Sequence, residues 1–450
     1  MQTSQLRRAN AIFQALLAST LFALSATARA SDDISVSILY HEPVRLIETF
    51  ESSQDLVPGA TIASLVFDAF SRRFELLPDD RRTIRRNGRT GLHGRLAGLD
   101  ESWFSLMRDG AELSGMISDG TDLYLIEPRH RVAELLIEPP ADDAPANLIY
   151  RLADTLVPAG LLACDTHDDP MPAGAYIDGQ SAAGKLSAEL QAVTSIAAAT
   201  ATLPLRVGVV ADETFVEQHG NNSETEIDAI FITTQGILLQ ELGLELEVAD
   251  VLTITPGVSS PFSDTVITKE LLYELGNWRR NNQADLGHTH LLTRKRLVND
   301  DGDNLAGISY VGEPGGKGAC DRLTGASISR DIRGLTALIV THEIGHNLGA
   351  PHDGDPAGAC ASESPTDFIM SASVSRYTSE RFSACSIAEI EKFIAAAWCL
   401  NEDVETLPAS SNGGGGGSLG WLSLTGLLCS PLLRRRRHVL PDRPSGTVIS

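Results

Sequence analysis

Five residues, His342-Glu343-Ile344-Gly345-His346, put two imidazoles four positions apart, one turn along one face of a helix, where they suit two ligands converging on a single ion. Glu343, one step round, reaches a water held at that ion. Gly349 stands where a helix ends in a left-handed cap, and the sharp turn it permits brings His352 back as a third ligand. Three protein ligands leave the fourth position of a zinc ion open, as a catalytic site requires. A bare five-residue match arises by chance in roughly one or two chains in a hundred, and Gly349 and His352 at fixed offsets make coincidence negligible. The spacing of Leu335, Leu338, Ile339, Ile344 and Leu348 predicts a helix over 332–348 that stops at Gly349.

Such a site predicts hydrolysis without a covalent intermediate. One zinc ion held by three neutral imidazoles keeps its double charge, acidifies water and polarises a carbonyl. Glu343 takes the water proton and later delivers it to the leaving amine, as base and then acid. By contrast, His288 and His290 alternate on a predicted strand and read as ordinary polar residues.

The remainder of the chain has to carry that helix into an oxidising compartment. Arg7 and Arg8, the apolar run Ala11 to Ala26 and the small-residue site Ala28-Arg29-Ala30 follow the plan of a secretory signal peptide cut after Ala30. Six cysteines divide into an isolated Cys164, a group of four (Cys320, Cys360, Cys385, Cys399) and Cys429. Four in one exported domain imply two disulfides, for which sequence alone leaves three pairings open. A net charge of −23 repels phosphate backbones and anionic lipid, which excludes nucleic acid or a membrane surface as main partner.

With 450 residues the chain is long enough for two folded units. Short alternating segments (Ile34 to Leu39, Thr61 to Phe67, Trp103 to Met107, Leu123 to Ile126) make the first half mostly β. An Ala-, Gly-, Ser- and Thr-rich stretch at Ala173 to Ala201 marks the boundary. A strand at Leu205 to Val210, a helix at Glu224 to Leu242, a strand near Leu244 to Thr253 and a last helix at Ile387 to Trp398 make the second half α/β.

The run His342 to Asp353, HEIGHNLGAPHD, resembles the adamalysin (reprolysin, M12B) branch of the metzincin zinc peptidases. Met370 in Phe368-Ile369-Met370 looks like that family's Met-turn, an apolar floor beneath the metal. His290 to Thr293, Gly307 to Gly312 and Cys320 are similar to the family's approach to its active-site helix, and Phe382 to Ser386 and Cys399 to Asn401 to its end. The resemblance covers Leu203 to Asn401 and implies a zincin-like α/β domain with a mixed twisted sheet, over 201–402. It implies that Gly307, Ile308, Ser309 and Tyr310 form the edge strand that pairs with an extended protein or peptide substrate. It favours Cys320 with Cys399 and Cys360 with Cys385. Structural calcium occurs in such relatives, but no ligands for it are matched here.

His93-Gly94, Ser102-Trp103, Leu113 to Gly115 and Tyr124 to Pro128 are similar to reprolysin propeptides, which implies an inhibitory, removable β-rich prodomain over 31–200. Cys164 is then the candidate cysteine switch, although Asp165 stands where the family's motif has glycine. An acidic, Gly-rich linker spans 403–418, and no disintegrin-like module follows the catalytic region, so adhesive roles are not carried over. Gly413 to Gly417, Leu419 to Leu433 and Arg434 to Arg437 look like a bacterial GlyGly-CTERM signal over 419–450. Such a tail resides transiently in the membrane and is cut by a rhomboid-type protease during export, leaving the protein at the cell surface or released. The competing reading is a silent, zinc-containing adhesin, for which Glu343 has no use.

Overall fold

Strands whose apolar residues run on without a polar break are those covered on both faces. In the first half this holds for Leu123–Pro128 and Asn147–Arg151, whereas the strands around them carry polar breaks. The computed structural model describes residues 36–50, 62–141, 144–157, 163–167, 204–373, 375–376 and 378–401. The proposed signal peptide, the connector at 173–201, the Gly-rich linker and the sorting tail lie outside those residues.

Nine strands form one antiparallel sheet: β1 (Glu42–Val44), β2 (Ile47–Phe50), β3 (Ile62–Ala69), β4 (Arg72–Pro78), β5 (Arg89–Leu96), β6 (Trp103–Asp109), β7 (Glu112–Ser118), β8 (Leu123–Pro128) and β9 (Asn147–Arg151). Their order is β1-β9-β8-β7-β6-β5-β4-β3-β2, and a short tenth strand, Ile84–Arg86, pairs with β5. Along β8 and β9 alternate side chains serve two cores. Tyr124, Ile126 and Ile149 pack with Phe67, Phe74 and Phe104 on one face. Leu123, Leu125, Leu148 and Tyr150 on the other face join the core of the second half.

That second half is a six-stranded mixed sheet with helices. Its strands are β10 (Cys164–His167), β11 (Leu205–Ala211), β12 (Leu246–Thr253), β13 (His288–Thr293), β14 (Gly307–Tyr310) and β15 (Ala326–Arg330). Their order is β10-β14-β15-β13-β11-β12, with β14 antiparallel to β15 and the other pairs parallel. The helices are α1 (Glu213–His219), α2 (Ser223–Leu242), α3 (Thr268–Asn282), α4 (Thr336–Asn347) and α5 (Ala384–Ala396). Asp212 caps α1 by accepting from the amides of Thr214 and Phe215, and Ser383 caps α5 by accepting from Ser386. The mixed sheet with its helices, preceded by a β-rich region, matches the expected class.

Two helix boundaries differ from the sequence reading. The helix expected over 332–348 begins at Thr336, because Gly334 has φ +79° and the Thr336 hydroxyl accepts from Ile332 N while donating to Asp331 Oδ1. The last helix starts earlier, at Ala384, because the Ser383 cap sets its first turn.

Cys320 bonds to Cys399 and Cys360 to Cys385, each with Cα atoms 5.6 Å apart. The first closes a loop of 79 residues around the helix that carries the histidines. Replacing Cys320 and Cys399 together by serine is expected to lower unfolding free energy by about 4 kcal/mol in denaturant titration, whereas opening the shorter loop costs less.

Candidate metal centre

His342 and His346 project from α4, a helix whose residues are buried throughout. Their ring centroids are 4.6 Å apart, and His352 stands 5.3 Å from the first and 4.5 Å from the second. One ring nitrogen from each of the three lies within 4.8 Å of the other two. Nδ1 of His342 is 2.6 Å from Ile369 O, and Nδ1 of His346 is 2.7 Å from Ala350 O. A carbonyl oxygen only accepts, so in both rings Nδ1 carries the hydrogen and Nε2 presents its lone pair. The two Nε2 atoms face each other at 3.0 Å with no proton to share between them, an arrangement that a cation relieves. Burial pushes His342 down to about 3 and His346 well below its ordinary range, so both rings are neutral, the form that binds metal. The donor set fits zinc.

Three tight approaches hold this geometry. Gly349 has φ +100°, and the turn it makes carries the chain to His352. Gly345, between the two helical histidines, has no room for a Cβ, which would stand 2.6 Å from Met370 Sδ and 3.0 Å from Phe382 Cε1. Met370 therefore lies directly under the helix turn bearing the ligands. Its neighbour Ile369 supplies the carbonyl that orients His342. Asp353, next to His352, donates its amide to Met370 O at 2.8 Å and accepts from the hydroxyls of Ser383 and Ser386, tying the third histidine to the start of α5.

Glu343 is fully buried, and burial pushes its carboxyl well up. Neither of its oxygens has a conventional hydrogen-bond donor. Gly307 of β14 gives it space, since a Cβ there would lie 2.3 Å from Oε1. The polar group beside it is Cys164, whose sulfur lies within 4.8 Å of ligating atoms of both Glu343 and His342. Burial and the Glu343 charge push that thiol well up. Strand β10 carries Cys164 along the outer side of β14 in parallel, with Cys164 opposite Gly307 and His167 opposite Tyr310. On its other side Cys164 N donates to Ala372 O at 3.1 Å. The segment 307–310 is thus an edge only when β10 is absent.

The structure assigns His288 and His290 differently from their reading as ordinary strand residues. Both are fully buried between sheet and helix. Nδ1 of His288 meets Asn347 Oδ1 at 2.9 Å, its Nε2 meets Ser327 Oγ at 2.8 Å, and that hydroxyl also lies 2.8 Å from His290 Nδ1. Asn347 in turn donates to Thr324 O and Tyr310 O, fastening the end of α4 to the sheet one residue past His346. The signal was present in the run His288-Thr-His-Leu-Leu, which continues into buried leucines without a break.

Gly345→Ala is expected to cost about 1–3 kcal/mol by overpacking. Combining it with Met370→Ala should cost less than the sum of the two single changes, because the truncated floor admits the added methyl. Unfolding free energies of the four proteins test this, and strict additivity would show that the two residues do not touch.

The sequence model of metallo-peptidase family M12 (Reprolysin_5) matches residues 204–383. A zinc metalloproteinase/disintegrin of Bitis gabonica is 31% identical over 193 residues, which cover 41% of this chain and 51% of that protein. The chain thus spans about half the length of that relative. With the three-histidine centre and the buried methionine beneath it, residues 204–383 are thus similar to the reprolysin-type M12 metallopeptidases.

Proposed function

We propose that this protein is an exported zinc endopeptidase made as a zymogen, with His342, His346 and His352 as metal ligands and Glu343 as general base. The observation that carries this reading is the pair of Nδ1 bonds to Ile369 and Ala350, which turn the Nε2 lone pairs toward one point beside a buried carboxylate. Zinc bound there supplies Lewis acidity, lowering the pKa of water toward ~7 and polarising a carbonyl oxygen.

Glu343 stands one helix position from His342 and under Gly307, so a water at the ion and a peptide on β14 both lie within its reach. It takes the proton of the attacking water and passes it to the nitrogen of the scissile bond as that bond breaks. An extended substrate pairs with Gly307, Ile308, Ser309 and Tyr310 once β10 has left, taking the backbone partners that residues 164–167 use. Cys164, beside Glu343 and His342, blocks water and substrate in the same move and acts as the switch. The two disulfides support an oxidising destination. Export by the N-terminal signal and sorting through the tail at 419–450 complete the proposal.

Glu343→Ala in the activated protein is expected to keep its zinc and lose at least ~100-fold in kcat against a denatured protein substrate. A variant that loses zinc as well would make Glu343 structural. If folded, zinc-loaded parent cuts none of a varied set of substrates, a binding role takes precedence. In the full chain, Cys164→Ser is expected to raise activity before any cleavage, and unchanged latency would remove the thiol from the switch.

A further inference from the structure

A surface helix has an apolar stripe and a polar face. Helix α2 has no such division: Ile227, Ile230, Phe231, Ile237 and Leu238 pack into the core shared with the catalytic sheet, while Ala229 and Ile232 on another side pack against Met107 of β6. The approach to β6 is too close for any side chain at Gly236, where a Cβ would stand 2.3 Å from Ser105 Cβ. Ser105 Oγ donates to Ile232 O at 2.6 Å, and a Cβ on Gly91 of β5 would meet Ile232 Cδ1 at 3.0 Å. Charges close the rim. Arg89 pairs with the nearly buried Asp228 at 2.5 Å, and Arg131 with Glu226 at 3.0 Å. Nearer the metal helix, Gly334 leaves room for the Tyr150 hydroxyl, and Arg333 donates to Arg131 O at 3.1 Å.

We infer that residues 36–157 are a lasting, non-covalent subunit of the enzyme, and that the acidic, glycine-notched face of α2 is the surface they recognise. Cutting the chain between 168 and 203 does not free the catalytic half. On the zymogen reading above, activation then needs only β10 to leave the edge of β14, while the N-terminal sheet stays on α2. The reason is the kind of surface involved. Leu123, Leu125, Leu148 and Tyr150 share one core with the residues of the second half, and separating the halves would expose that core to water. The sequence expectation of a removable prodomain is thereby narrowed to a removable strand. The inference concerns binding alone and stands whether or not the metal centre cleaves peptides.

The test inserts a sequence-specific protease site between positions 168 and 203 of the full chain, with the cut verified on a denaturing gel. Size-exclusion chromatography follows, at low salt and at ~1 M salt, with and without chelator, and in a Cys164→Ser background. The two fragments are expected to co-elute at the volume of the uncut chain in every case. A folded 204–401 fragment eluting alone overturns the proposal, and so does separation that appears only with chelator or Cys164→Ser, since the link would then be the strand at the metal site. Gly236→Leu and the milder Arg89→Glu are each expected to weaken association of the cut fragments at least tenfold. Unchanged association in Arg89→Glu and in a folded Gly236→Leu would remove α2 as the docking surface.

Discussion

Two imidazoles held from behind by backbone carbonyls set the terms for everything around them. Because Ile369 O and Ala350 O can only accept, they fix which nitrogen of His342 and His346 faces the centre. Each carbonyl must then be fixed in its turn. Ile369 is placed by the Met370 turn pressed against Gly345, and Ala350 by the left-handed bend at Gly349. Asp353 closes the circuit by bonding Met370 and the first turn of α5, which the Cys360–Cys385 bridge ties to the same loop.

Holding such a site in the interior costs solvation, and the chain offsets much of that cost with paired polar groups. Asn347, His288, Ser327 and His290 form a buried hydrogen-bonded row that anchors the metal helix to the sheet. Glu343 is one departure from that pattern among the described residues, a buried carboxyl whose two oxygens have no conventional donor; His93, with both ring nitrogens unpartnered, is another. Unsatisfied groups of this kind cluster where a reaction requires them.

The N-terminal sheet touches the catalytic half in two unlike ways. Beside the metal centre the chain that follows it adds one short strand, β10, joined through main-chain bonds to β14. At α2 it contributes side chains packed closely around Gly236, Ile232 and Gly91 and joined to the shared core. The first contact rests on backbone pairing, which is indifferent to sequence, and the second on close packing, which depends on each side chain involved.

Local pattern was enough for much of this. The spacing of His342, His346, Gly349 and His352 singled out the three histidines that the structure brings together, since a helix and a glycine-permitted turn are both set by neighbours in the chain. Alternation likewise revealed strands of both halves, and helical spacing revealed α4 and α5, whose starts are displaced by about one turn where Thr336 and Ser383 bond locally. What periodicity could not supply was the environment of residues distant in sequence. His288 and His290 look alike on the page whether exposed or buried, and only the helix laid across them made them interior. Gly307 and Gly345 carry no sign of the atoms that crowd them, and Cys164 gains its meaning from Glu343, far along the chain. Sequence by itself determined which atoms can bind a metal, and tertiary packing decided what lies against them, because contacts between distant segments depend on how both sheets close around α2 and α4.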